Sequence, residues 1–106
     1  DGFEALEWTV ESSGDAINKH CLVHNEGGTN RYLDITTNTI RHSATPVPLL
    51  ITAKENSNEH FVVYQKAGGQ YNYLFLNTSY CSSNSAPLSA FISCQVYPAG
   101  MPVSFS

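Results

Sequence analysis

Two stretches of the chain nearly repeat one another: "LVHNEGGTNRYLDITT", Leu22 to Thr37, and "VVYQKAGGQYNYLFLNTS", Val62 to Ser79. With Ala67 taken as one extra residue, Val23 falls on Val63, Gly27-Gly28 on Gly68-Gly69 and Tyr32-Leu33 on Tyr73-Leu74, an offset of about 40 residues. Glycine reaches positive φ without steric penalty, and two-residue hairpin turns need that conformation. Each copy therefore reads as strand, turn, strand. Elsewhere, short apolar segments are interrupted by turn residues at about ten-residue spacing, the pattern of an all-β domain.

The strands are expected near Leu6–Val10, His20–His24, Arg31–Thr36, Thr39–His42, Leu49–Ala53, His60–Gln65, Tyr71–Leu76 and Phe91–Tyr97, with a last short one at Val103–Phe105. The connectors "NEGGTN", "PVP", "KENSNE", "KAGGQ" and "TSYCSSNSAP" carry the Gly, Pro, Asn and Ser that chain reversal requires. Only "SSGDAINKH", Ser12 to His20, has room for a helical turn, and it is too short and too glycine-broken to stand as a helix.

Side chains alternate faces along a strand, so Leu33 shares a face with Ile35, and Leu74 with Leu76. Those four are the expected core. The opposite face carries Tyr32 and Asp34 in the first copy and Tyr71, Tyr73 and Phe75 in the second. Antiparallel hairpins with one polar face suit a small barrel or a two-sheet sandwich with two pseudo-repeated hairpins, about 22–37 and 62–79, in one domain spanning 1–106. The segments "NRYLDITTN" and "HFVVYQKAGGQYNYLFL" resemble the β-trefoil lectin repeat, with its glycine turn, aromatic-leucine pair and polar strand. A trefoil implies three such units, and this chain holds two. A double Greek key of two similar halves is the alternative that fits the length, although the aromatic-and-glycine signature of the βγ-crystallins is missing.

Composition narrows the function classes. Charged residues make up 13% of the chain, about half the usual share, and Ser, Thr and Asn take their place. Such a polar, weakly charged surface suits a secreted protein. The chain also begins at Asp1 rather than Met, which leads us to expect a removed leader. Net charge is −4 with only Lys19, Lys54, Lys66, Arg31 and Arg41 as cations, which disfavours nucleic acid as a partner. No apolar run approaches the roughly 18 residues that a membrane-crossing helix needs, so no membrane partner is expected. Asn77-Thr78-Ser79 is a sequon and makes Asn77 an expected glycosylation site.

Cys21, Cys81 and Cys94 allow one bridge. The favoured pairing, Cys81–Cys94, would staple a Ser- and Asn-rich loop and contribute about 2–4 kcal/mol. Cys21–Cys94 and three reduced thiols, with Cys21 a small buried hydrophobe, remain open. An unpaired cysteine leaves both a monomer and a linked dimer open.

Catalytic and metal readings are thin. His20 and His24 on one strand stand about 13 Å apart, too far to share a zinc ion, and no C-x-x-C occurs, so neither metal nor cofactor is expected. Arg41, Glu59 and His60 are the residue types of a small acidic secreted ribonuclease, with acid–base groups beside a cation. Glu59 and His60 are adjacent, however, and point to opposite sides of a strand unless a bulge intervenes. That hydrolase reading ranks third, and the chain reads as a binder more than an enzyme. The aromatic stripe leads. Tyr71, Tyr73 and Tyr32 offer flat faces for sugar C–H groups, while Asn72, Asp34 and Arg31 offer hydrogen bonds to hydroxyls. A carbohydrate-binding, lectin-like module is therefore first. A secreted effector or inhibitor acting on a protein partner through "HSATPVPLL" or "CSSNSAPLS" is second, because tyrosine-rich patches and proline-stiffened loops also serve protein recognition.

Overall fold

The computed structural model of the chain describes residues 8–37, 39–53, 60–65, 71–75, 81–84, 100 and 102–103, with side chains for all but Ala53, Phe75 and 81–84. The described residues form two antiparallel sheets and no helix. The strands are β1 (Trp8–Ser12), β2 (His20–Glu26), β3 (Thr29–Asp34), β4 (Arg41–Ser43), β5 (Leu50–Ala53), β6 (His60–Gln65), β7 (Tyr71–Phe75), β8 (Cys81–Asn84) and β9 (Pro102–Val103). The first sheet has the order β4-β3-β2-β1-β9 and the second β5-β6-β7-β8. An isolated bridge ties them: His20 and Leu49 exchange both backbone hydrogen bonds, at 2.8 and 2.6 Å.

β2 pairs antiparallel with β3, and β6 with β7. In β2–β3, Glu26 pairs with Thr29 across Gly27 and Gly28, whose φ values of 60° and 89° lie in the left-handed region. Positive φ at both central residues matches the right-handed twist of the flanking strands, which is why this turn takes two glycines. The Asn25 side-chain oxygen closes the turn by accepting the Gly28 N–H at 3.1 Å. In β6–β7, Val63 pairs with Tyr73, just as Val23 pairs with Tyr32 in β2–β3. Gly68, Gly69 and Leu76 lie outside the described residues.

Several boundaries differ from expectation. The first strand continues beyond the expected Val10 to Ser12, because its ladder to β2 extends to the Ser12–His20 pair, and Leu6 and Glu7 lie outside the described residues. β4 begins at Arg41, two residues later than expected. Cys81–Asn84, expected as connector, is a strand hydrogen-bonded along β7. The segment with helical potential contains no helix. Instead Asp15 Oδ2 accepts the N–H groups of Ile17 and Asn18 at 3.0 and 2.8 Å, and Ser13 Oγ accepts that of Asp15 at 3.0 Å. Asp and Ser side chains compete with helical backbone bonds in this way. The expected strand Phe91–Tyr97 lies outside the described residues.

One apolar cluster draws on both sheets: Trp8, Val10, Leu22, Leu33, Ile35 and Val103 from the first, with Val47, Leu49, Ile51, Val62 and Leu74. The expected core residues Leu33, Ile35 and Leu74 all belong to it. The proline segment is partly absorbed as well, since Val47 and Leu49 are buried while Pro46 is exposed. A second cluster, Leu50, Phe61, Val63 and Tyr71 with Tyr73 packed on it, occupies the other face of the second sheet. That sheet is therefore apolar on both faces. A side-chain hydrogen bond also links the two sheets: the buried Asn72 amide donates from Nδ2 to the Ile35 carbonyl at 2.8 Å.

Candidate functional site: the two faces of the first sheet

Register decides which side chains stand together. On β3 and β4, Tyr32 is opposite Ser43 and Asp34 opposite Arg41, all on the face turned away from the shared core. Tyr32 is half-buried and is also the cross-strand partner of Val23 on β2. The Asp34 carboxylate accepts the backbone N–H and hydroxyl of Thr36 at 2.9 and 2.7 Å through Oδ1, and Arg41 Nη2 at 3.2 Å through Oδ2. At the hairpin end of this face Asn25 donates from Nδ2 to Asn30 Oδ1 at 3.0 Å. The result is an aromatic ring flanked by an ordered ion pair, a hydroxyl and two amides.

Burial alone would raise the Asp34 pKa, but the two Thr36 hydrogen bonds and the Arg41 charge outweigh it and hold the carboxyl below its ordinary value. A carboxyl whose folded pKa is depressed contributes stability above the unfolded pKa of about 3.9, and that contribution is lost as pH falls through the folded value. Asp34→Asn should therefore lose less stability than the parent protein between pH 7 and pH 3. Denaturant unfolding at the two pH values measures this, and equal losses would contradict the assignment. Arg41 is 51% exposed at its side chain, so the ion pair orients groups more than it stabilises the fold.

The core-side face carries a different set at the hairpin end. Trp8 is fully buried, and its ring lies 5.8 Å from that of His24 on β2 and 5.8 Å from that of His42 on β4, at interplanar angles of 55° and 57°. β3 separates those two strands, so the indole from β1 reaches imidazoles on both sides of it. Arg31 is the cross-strand partner of His24 and shares this face. Arg31 thus lies on the opposite side of β3 from Tyr32 and Asp34, as strand alternation requires. Alternation along β3 alone would have found this. The Trp8–His24–His42 cluster depends on the strand order, which no local pattern announces.

The second hairpin places its candidates apart. Tyr71 is buried, while Tyr73 is half-buried with its ring 5.6 Å from Phe61 at 79°, an edge-on contact. Asn72 faces the other way, into the core, with its amide committed to Ile35. Among the hydrolase candidates, Arg41 and His60 are in different sheets, and Glu59 lies outside the described residues. Asn77 and Cys94 also lie outside them, as does the side chain of Cys81. Cys21 is a buried free thiol whose pKa is pushed up by burial and then by the Glu11 carboxylate across the β1–β2 ladder. Among the described residues no group of three or more His, Cys, Asp or Glu side chains is gathered to hold a metal ion.

Compared with protein-family models, curated proteins and solved structures, the chain matches none.

Proposed function

We propose that the chain is a secreted binding module, a two-sheet sandwich with two pseudo-repeated hairpins, that takes carbohydrate on the outward face of its first sheet. The observation that carries this reading is the shared face of Tyr32, Asp34, Arg41 and Ser43. Tyr32 is the stacking platform for the C–H face of a sugar ring. Arg41 and Ser43 supply donors to hydroxyl oxygens, and the Asp34 carboxylate fixes the guanidinium in place. Tyr71 and Tyr73 serve the second apolar cluster, so the binding weight rests on the first hairpin.

A soluble glycan and polysaccharide panel on the intact protein tests the proposal. A selective, saturable hit that weakens about tenfold or more in Tyr32→Ala, equivalent to about 1.4 kcal/mol, is the expected result. A folded protein that binds nothing on the panel, or binds equally well without Tyr32, would overturn it.

One observation favours a protein-targeting role as the second reading. Ile17 is 57% exposed, the one large exposed hydrophobic among the described residues, and it sits on a turn fixed by Ser13 and Asp15. A pre-ordered apolar tip loses little conformational entropy on docking.

A further inference from the structure

We propose that the Tyr32 face takes acidic sugars in preference to neutral ones, with the carboxylate of a hexuronate held by the Arg41 guanidinium. This rests on the carbohydrate reading and names the ligand class of the same site. A sugar hydroxyl both donates and accepts, so a site for neutral sugars presents acceptors as well as donors. Here the acceptors are already in use. Asp34 Oδ1 accepts the Thr36 N–H and hydroxyl, its Oδ2 accepts Arg41 Nη2, and its side chain is only 14% exposed. Ser43 Oγ accepts the Thr45 N–H at 3.1 Å and shares a further hydrogen bond with Thr45 Oγ1. At the hairpin end both amide oxygens are taken, Asn25 Oδ1 by the Gly28 N–H and Asn30 Oδ1 by Asn25 Nδ2.

Arg41 is the opposite case. Its side chain is 51% exposed and commits Nη2 alone to Asp34. A guanidinium carries five N–H donors along two edges, Nε with Nη2 and Nη2 with Nη1. Because Nη2 has two hydrogens, one edge stays complete whichever of them Asp34 takes. Such an edge matches the two oxygens of a carboxylate. Its position suits a sugar seated on Tyr32. Tyr32 is opposite Ser43, so Arg41, two residues earlier on β4, is the diagonal neighbour of Tyr32. Diagonal neighbours on a sheet face stand roughly 7–8 Å apart, within reach of aromatic and long side chains. A pyranose stacked on the ring can therefore bring the carboxylate on its C5 carbon to the guanidinium. Among the described strand residues of this face the other carboxylate is Glu11 on β1, and β2 lies between it and β3.

Calorimetric titration of the full chain with oligomers of galacturonate, mannuronate and glucuronate, each beside its methyl ester, tests the inference. Esterification removes the charge and keeps the ring. At least one acid is expected to bind about tenfold more tightly than its ester. Arg41→Gln should abolish that preference, and Arg41→Lys, a point charge without the fork, should recover part of it. Arg31→Gln removes the same charge from the other side of β3 and should leave the preference intact. Acid and ester bound equally, or a preference lost as fully in Arg31→Gln as in Arg41→Gln, would overturn the inference. A sulfated galactan bound more tightly than all three uronates would overturn the assignment to a carboxylate. Its failure is distinct from that of the carbohydrate reading. Neutral glycans bound through Tyr32 in preference to every acid overturn this inference alone, whereas a folded protein that binds no saccharide overturns both.

Discussion

Trp8→Ala is expected to remove about 3–5 kcal/mol of folding stability. The residue is fully buried in the cluster that joins the two sheets, and it lies at the β1 end of a ladder reaching across to β4. Truncation forfeits the transfer free energy of the largest side chain in that core and leaves a cavity that strand backbones are poorly placed to close. Domains of this size are stable by about 5–15 kcal/mol, so the loss is a large share of the total. The variant should also release the imidazoles of His24 and His42 from their contact with the indole. Urea unfolding followed by far-UV circular dichroism measures the first effect, and the histidine NMR signals report the second. A loss below about 1 kcal/mol would mean that the indole is not the keystone that its burial implies.

The second large effect belongs to Asn72. Its side chain is fully buried on β7, between residues of the second sheet, and donates to the carbonyl of Ile35, which follows β3 in the first. Asn72→Leu preserves volume and apolar packing but leaves that carbonyl buried without this donor. Loss of one partner from a buried hydrogen bond costs about 1–3 kcal/mol, because the remaining group keeps its desolvation penalty. Denaturant unfolding of Asn72→Leu should show a lowered midpoint with an unchanged slope. A variant as stable as the parent would show that the contact is replaceable. The bond also ties β7 to the residue that follows β3, and Ile35 and Leu74 belong to the same apolar cluster.

The sequence was most legible where alternation and turn chemistry act locally. The Gly27-Gly28 turn, the pairing of β2 with β3, and the core assignment of Leu33, Ile35 and Leu74 follow from strand alternation and from the conformational freedom of glycine. β8 was not legible, because Cys81-Ser82-Ser83-Asn84 has neither apolar alternation nor β-branched residues. It is a strand because β7 offers it a ladder, which is a tertiary cause. The same limit governs the candidate site. Alternation put Tyr32 and Asp34 together, but Arg41 joins them only through the β3–β4 register, and Arg31 is carried to the other face. Tyr71 and Tyr73 looked equivalent to Tyr32 because a strand does not reveal how many of its faces are dry. In the second sheet both are apolar, and Tyr73 meets Phe61 edge-on. In sequence Asn72 reads as a surface hydrogen-bonding group, but its position opposite Tyr64 on the core-facing side of β7 turns it inward.

Calorimetric titration of a glycan hit against three proteins in parallel, the parent chain, Tyr32→Ala and Tyr73→Ala, tests the central claim most directly. The account predicts that Tyr32→Ala loses affinity about tenfold or more while keeping its unfolding midpoint. It predicts the reverse for Tyr73→Ala, with a lowered midpoint and unchanged affinity in the folded protein. Binding that survives Tyr32→Ala and disappears in a folded Tyr73→Ala would contradict the account and move the site to the second sheet.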